Sequence, residues 1–494
     1  MDLQFQKSAC SYLRQVTRSV HNEEQTQELK LPEAMPDIGK VLCAWGQCMI
    51  RSKEWRKGSM RVSGGVTVYI LYQPEAEEHP RSLETWIPFQ TRWDFPETQR
   101  DGTILISGGV RSVDARTLSA RKLMLRVNLS LLGEALVFDE AMLHTPGEIP
   151  EDVQLLRRSY MACICAEAGE KAFHLEDQIC LQGQDSPMQK VVRMDIQPEI
   201  VDRKIMGDKV VFRGGLQVHL LYQCEDGSLH THDAQIPFSQ YSELEREYGE
   251  NCHLRVIPLI SGTETEMQEN HCIGIKIGVI GQYVLYERKK LELVEDCYST
   301  RRKVTPSFGE LEVPMVLDTC REMLRAEAAL PEKCRQAVDA AFYPVQPQLY
   351  TGEDGCRGEL QGQWQLLYRE EDGSLWGDTL DWTHDFAMDC GADAALEAWM
   401  YPSGSIQLMP QLQNDVCLEG MCVNGKGIPM ITGMELGEEA GPDPKRPSLI
   451  LKRYDGEGLW NLAKSTGSTV DSVLSANGLT QEPEKGKLLL IPIA

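Results

Sequence analysis

The sequence predicts a mainly β protein, with tandem small β-sandwich or barrel-like units followed by a small β-α-α-β domain. Three observations carry this prediction. A strand motif recurs at a spacing close to 150 residues. Each copy alternates apolar residues with a period of two, as a β-strand requires. From Ser448 onward the pattern changes to two short helices between two strands.

The first copy, "GGVTVYILYQ", starts at Gly64, and the second, "GGLQVHLLYQ", starts at Gly214, a spacing of 150 residues. Val66, Val68, Ile70 and Tyr72 share one face, matched by Leu216, Val218, Leu220 and Tyr222. A third, weaker copy is "GQWQLLYRE", with Trp364, Leu366 and Tyr368 on the corresponding face. The flanks repeat in the same order. Polar turns follow each tyrosine, two of them with the Asp-Gly pair of a hairpin. "WIPF", "QIPF" and "LDWT" come next, and "ILISGGV" is echoed by "PLISGTE". Alternating strands, "LMLRVNLSLLGEAL" and "IGIKIGVIGQYVLYE", close the first two units. A repeat this long suits tandem domains better than a solenoid. The expected division is a lead-in at 1–28, units at 29–145, 155–300 and 310–435 (the third degenerate), a linker at 436–447 and a terminal domain at 448–494. One helix is expected within the third unit, over Cys320–Phe342 and broken at Pro331.

The linker expectation rests on "MELGEEAGPDPKRP", which is rich in proline, glycine and charge. Beyond it, "SLILKRY" reads as a strand. "EGLWNLAKSTG" reads as a helix ended by Gly467 as a C-cap. A second helix has Thr469 or Ser468 as its N-cap, packs through Val470, Val473 and Leu474, and stops at Gly478. "GKLLLIPI" is the closing strand.

Composition narrows the function. The 494 residues carry a formal charge of −24, which disfavours nucleic acid and anionic membrane as partners. No apolar run is long enough to span a bilayer, and the N-terminus lacks the charge and apolar pattern of a signal peptide. A cytoplasmic location follows as an expectation, and with it sixteen cysteines held as thiols. Cys163 and Cys165 lack metal-site spacing and read as buried thiols.

No catalytic constellation is visible. The sequence has no GxxxxGK[ST] phosphate loop, no GxSxG elbow and no HExxH. His230 and His232 alternate on a strand without an evident third ligand, and His253 and His271 stand alone. Acidic pairs such as Glu77-Glu78 and Glu370-Glu371 read as solvated turn charges. Tyr72, Tyr222 and Tyr368 read as core residues whose hydroxyls reach the surface. The chain is expected to be a non-enzyme without cofactor or metal. An enzymatic site formed between units would instead require a deep pocket with convergent titratable groups.

The C-terminal pattern resembles a LysM domain through Gly456, Leu459, Trp460, Ala463, Asn477, Gly478, Gly486, Leu488, Leu490, Ile491 and Pro492. The preceding units resemble SPOCS domains through "LKLPEAMPDI", "GGVTVYILYQ", "IPF", "DKVVFRGGLQVHLLYQ" and "VEDCYST". Tandem SPOCS units with one LysM is the layout of SipL-like sporulation proteins. This resemblance implies a mother-cell scaffold at the forespore surface. It would bind the coat-basement ATPase of the stage IV sporulation protein A type through its LysM domain and support coat assembly, with other coat proteins as further partners. The residues implied in partner binding are Gly456, Glu457, Gly458, Trp460, Asn477, Gly478 and Leu479, with Trp460 expected to be partly buried.

The alternative is a peptidoglycan or N-acetylglucosamine-binding protein using the LysM groove. Glycan-binding relatives carry Asp-Thr where this chain has Glu457-Gly458, so a hydroxyl is lost. That departure counts against glycan and is compatible with a protein partner. The tail itself is neutral, with five basic and five acidic residues, so the negative charge belongs to the β units.

Overall fold

The computed structural model describes residues 2–3, 5–181, 186–249, 251–268, 272–352, 355–390, 394–424, 427–439 and 447–493. It is mainly β, with two short helices. After β1 (Asp2–Leu3), the first unit comprises β2 (Phe5–Lys30), β3 (Ile38–Arg56), β4 (Ser59–Pro74), β5 (Arg81–Asp94), β6 (Thr103–Ser119) and β7 (Lys122–Pro146). The second comprises β8 (Val153–Cys180), β9 (Met188–Met206), β10 (Lys209–Cys224), β11 (Leu229–Glu243), β12 (Cys252–Met267) and β13 (Cys272–Ser299). β14 (Arg302–Leu311) then leads into the third unit. That unit comprises β15 (Val316–Ala328), β16 (Gln336–Pro344), β17 (Tyr350–Gly352), β18 (Gly355–Arg369), β19 (Leu375–Met388), β20 (Ala394–Gln407) and β21 (Leu412–Asn424). β22 (Ile428–Glu439) precedes the tail, which is β23 (Leu449–Arg453), α1 (Leu459–Thr466), α2 (Val470–Ala476) and β24 (Leu488–Pro492).

Each unit holds two antiparallel sheets with the same plan. One is a meander, β3-β4-β5, β9-β10-β11 and β16-β18-β19, with β17 added beside β18 in the third unit; the other places the last strand between the first and the penultimate, β2-β7-β6, β8-β13-β12 and β15-β21-β20. A further sheet, β1-β22-β14, joins the chain's N-terminal strand to the strands on either side of the third unit. The units pack cyclically. β3 contacts β12, β9 contacts β20, and β16 contacts β6, which closes a ring.

The repeated motif is the middle strand of each meander, and the ring explains why both its faces are apolar. Leu71, Leu221 and Leu367 lie on the face opposite the tyrosines, and all three are fully buried in one core that spans the units. The glycine pair serves close packing. A Cβ on Gly64 would collide with the Met49 carbonyl and meet the Phe89 ring, and one on Gly214 would collide with the Glu199 carbonyl and the Phe238 ring. The paired registers are identical, Gly64 opposite Phe89 and Gly214 opposite Phe238. Both Asp-Gly turns also repeat in detail. Gly227 and Gly373 adopt φ 82° and 83°, and Ser228 and Ser374 each bond the preceding aspartate through backbone N–H and hydroxyl.

Four sequence expectations change. Residues 5–28, taken as part of a lead-in, lie in β2, which pairs with β7 along its length. Cys320–Phe342 is not helical. Its Glu, Met, Leu and Ala residues favour a helix in isolation, but β15 pairs with β21 and buries Leu324 and Ala326 while Met323 and Arg325 face outward. Tertiary pairing overrides propensity there. Of the sixteen cysteines, Cys180 and Cys272 form a disulfide between β8 and β13, so they are not thiols. The expected linker begins inside β22, and its residues 440–446, like His271, lie outside the described residues.

Charged groups buried at the joints tie the units together. Arg193 on β9 donates to Asp339 on β16 at 2.7 Å and to Asp195 at 2.9 Å. His219 bridges Asp339 and Asp233 through its two ring nitrogens, at 2.8 and 2.7 Å. Burial would depress the His219 pKa, but the Asp339 carboxylate and the bonds to both aspartates raise it to about 9. Burial would raise that of Asp339, but Arg193 and His219 hold it at about 2. At a second joint Arg255 on β12 makes two bonds to Glu134 on β7, at 3.0 and 2.8 Å, and stacks 3.6 Å from the Trp399 ring of the third unit.

Two outcomes test this account. Gly214→Ala should lower stability by about 1–3 kcal/mol through overpacking, whereas Gly262→Ala, with open space at its Cβ, should stay within about 0.5 kcal/mol; urea denaturation compares them. His219 is raised from 6.5 to about 9 on folding, so its stabilisation is complete below the lower value and is lost as pH rises through the upper one. The urea midpoint should therefore fall between about pH 6 and about pH 10. His219→Gln should flatten that decline.

Candidate functional site in the C-terminal module

The tail folds around Tyr454, Leu459, Leu462, Val473, Leu489 and Ile491. α1 ends at Gly467, whose φ of 70° forms the left-handed cap. Thr469 caps α2 by accepting from the Ser472 N–H at 3.1 Å. β23 and β24 pair only with each other among the described residues.

The predicted site residues divide into three groups. Gly456, Glu457 and Gly458 form the loop before α1. Tyr454 draws this loop to the one after α2, because its hydroxyl donates to Glu482 and accepts from the Gly458 N–H at 2.9 Å. Glu457 pairs with Lys452 at 2.7 Å. Asn477, Gly478 and Leu479 follow α2, and the Asn477 amide is committed to structure. It donates to Val473 and Leu490 carbonyls at 2.7 and 2.6 Å and accepts from the Leu490 N–H at 2.8 Å. Leu479 is half-buried against the tail core.

Trp460 is separate from both loops. It is half-buried, and its indole N–H donates to Asp296 on β13 at 2.7 Å. Lys464, one turn later, reaches both oxygens of the same carboxylate at 2.7 Å. The Tyr298 ring meets Trp460 edge-on at 4.8 Å, and its buried hydroxyl donates to the Ser468 carbonyl at 2.9 Å. Burial pushes the Tyr298 pKa up to about 12. The tail therefore docks on the last strand of the second unit. A register shift between Val294 and Asp296 marks the bulge where this carboxylate emerges.

The tail also exposes an apolar face that the sequence reading missed. Leu449 and Leu451 on β23 are 50% and 60% exposed, and Leu488 and Leu490 on β24 are 55% and 39% exposed. Leu451 stands opposite Leu490 in the register. Their alternates, Ile450, Leu489 and Ile491, face the tail core. The unbroken apolar runs "LIL" and "LLLI" were the available signal, since a sheet covered on one face alone would alternate with polar residues.

Elsewhere, His230 stacks on Tyr222 at 5.8 Å and bonds Ser228 at 2.9 Å. Tyr72 is buried, with its hydroxyl bonded to the Pro36 carbonyl at 3.0 Å. No helix of the described residues is long and apolar enough to cross a membrane.

A family model described as SipL, SPOCS domain, matches residues 187–268, which cover β9 through β12. The match supports a SipL-like sporulation protein. No curated protein and no solved structure matches the chain.

The docking geometry makes a prediction. Asp296→Ala removes the acceptor for both Trp460 and Lys464. Hydrogen exchange in α1 should then accelerate several-fold while exchange in β10 stays unchanged.

Proposed function

We propose that this chain is a non-enzymatic scaffold of spore morphogenesis. Its C-terminal module binds the coat-basement ATPase, and its ring of β units supports coat assembly around the forespore. The family match in the second unit supports the sporulation setting. The observation that carries the binding role is the leucine face of β23 and β24. Exposed leucines on two adjacent strands are a protein-docking feature, since leaving such a patch in water is unfavourable. Both outer edges of this two-stranded sheet lack a strand neighbour among the described residues, so a partner strand can extend it.

Charge suggests the partner's character. Arg453, opposite Leu488 in the register, and Lys487, next to it in the chain, are exposed, so an apolar segment flanked by carboxylates is favoured. The loops implied in glycan binding are tied to each other through Tyr454 and Glu482, which leaves fewer polar groups for an acetamido ligand. Trp460, spent on Asp296, acts in this reading as an anchor for the module and not as a ligand platform.

Co-purification with the ATPase tests the proposal. The double variant Leu451→Arg/Leu490→Arg should lose the ATPase while keeping its unfolding transition. The Asn477 and Tyr454 positions stay intact in that protein. Retained ATPase, or sedimentation with purified peptidoglycan that the double variant keeps, would count against docking through this face.

A further inference from the structure

A cavity of about 200 Å³ lies where the three units meet. Six strands line it, β3 and β6 from the first unit, β9 and β12 from the second, β16 and β20 from the third. The repeat places corresponding residues around it. Cys48, Pro198 and Pro344 each pair with the residue six before the tyrosine that ends the repeated strand, namely Val66, Leu216 and Gly362. The ring thus creates a site that no single unit contains.

The chemistry of the walls restricts what fits. Most are apolar, with Ile50, Ile200, Val110, Val256, Phe342 and Met400 among them. Among the described residues no Lys, Arg or His lines the cavity, so an anion would lose its hydration without a counter-charge. The one carboxylate, Asp195, is already held by Arg193. The polar groups are mostly occupied as well. Gln47 accepts from the Ile196 N–H at 2.8 Å, and Gln346 donates to the Met400 carbonyl at 2.8 Å. Ser107 differs. It lines the cavity, only 7% of it is exposed, and its hydroxyl has no hydrogen-bond partner among the described residues. A buried hydroxyl without a partner is unfavourable, and an acceptor delivered to it would remove the deficit.

We propose that this cavity is a binding site for a compact, neutral, largely apolar molecule with one hydrogen-bond acceptor, to which the Ser107 hydroxyl donates. The size is sufficient for one substituted ring, since dry cavities of roughly 150 Å³ hold benzene. The site links occupancy to the joint between units, because the ligand would touch all three.

The test uses the full chain with labelled isoleucine methyls and three probes of similar size, acetophenone, ethylbenzene and benzoate. Acetophenone should shift the Ile50 and Ile200 methyl signals saturably. Ethylbenzene, which lacks the acceptor, should bind about five-fold more weakly, the worth of one neutral hydrogen bond. Benzoate should leave these signals unmoved. Ser107→Ala should reduce acetophenone to the affinity of ethylbenzene and leave ethylbenzene unchanged. Silent Ile50 and Ile200 signals with acetophenone, equal binding of benzoate, or an unaltered acetophenone affinity in Ser107→Ala would each overturn the proposal.

Discussion

A strand that is apolar on both faces needs cover on both, and one two-sheet unit supplies cover on only one. That constraint governs this molecule. Val68, Ile70 and Tyr72 are satisfied inside the first unit, but Leu71 on the opposite face is buried only because other units approach it. The same holds for Leu221 and Leu367. Ring closure is thus the structural consequence of a repeat whose second face is apolar. Burial of large aliphatic side chains, worth about 1.5–3 kcal/mol each, favours the closed arrangement over three separate beads.

The tail is joined to this ring in a different way. Its contact is local, with one carboxylate at a bulge receiving an indole N–H and an ammonium beside the edge-on rings of Tyr298 and Trp460. A neutral module thereby meets a strongly acidic body through one of that body's own carboxylates. Charge-assisted bonds of this kind fix direction more than they add stability. The geometry holds α1 to the second unit and leaves the β23–β24 face exposed. The module is thus fixed in direction while its leucine face stays uncovered among the described residues.

Much of this was legible in the sequence because it depends on short-range pattern. The period-two motif, the Asp-Gly turns and the caps at Gly467 and Thr469 are local features, and each has the conformation its residues prescribe. What escaped reading depends on pairs far apart in the chain. "CREMLRAEAAL" carries a local preference for helix, and only β21, almost one hundred residues later, makes it a strand. Asp296 looks like one more acidic residue until Trp460 and Lys464 are placed beside it. Leucines in "LIL" and "LLLI" all look like core, although the sheet has only one covered face. The pairing of Cys180 with Cys272 likewise follows from the alignment of β8 and β13, which spacing alone does not reveal.

The divergence among the units has its own logic. A ring of three identical units could equally well close with other copies of itself, so order must be specified by differences at the joints. Each joint in this chain carries different charges. Arg255 and Glu134 join the second unit to the first. Arg193 with Asp339, and Arg203 with Glu419, join the second to the third. Arg18 reaches the Ala398 carbonyl and lies 3.7 Å from Glu397 to join the first to the third. A wrong neighbour would leave one of these charges buried without its partner, at a cost of about 3–5 kcal/mol. On this argument the third unit departs from the repeat where it must, supplying Asp339, Glu397 and Glu419. Leu360 and Gln361 stand where the first two units carry the glycine pair, and Gly362 stands where they carry Val66 and Leu216, leaving room for the Phe342 ring. Degeneracy in the sequence is then the means by which one chain closes on itself in a single order.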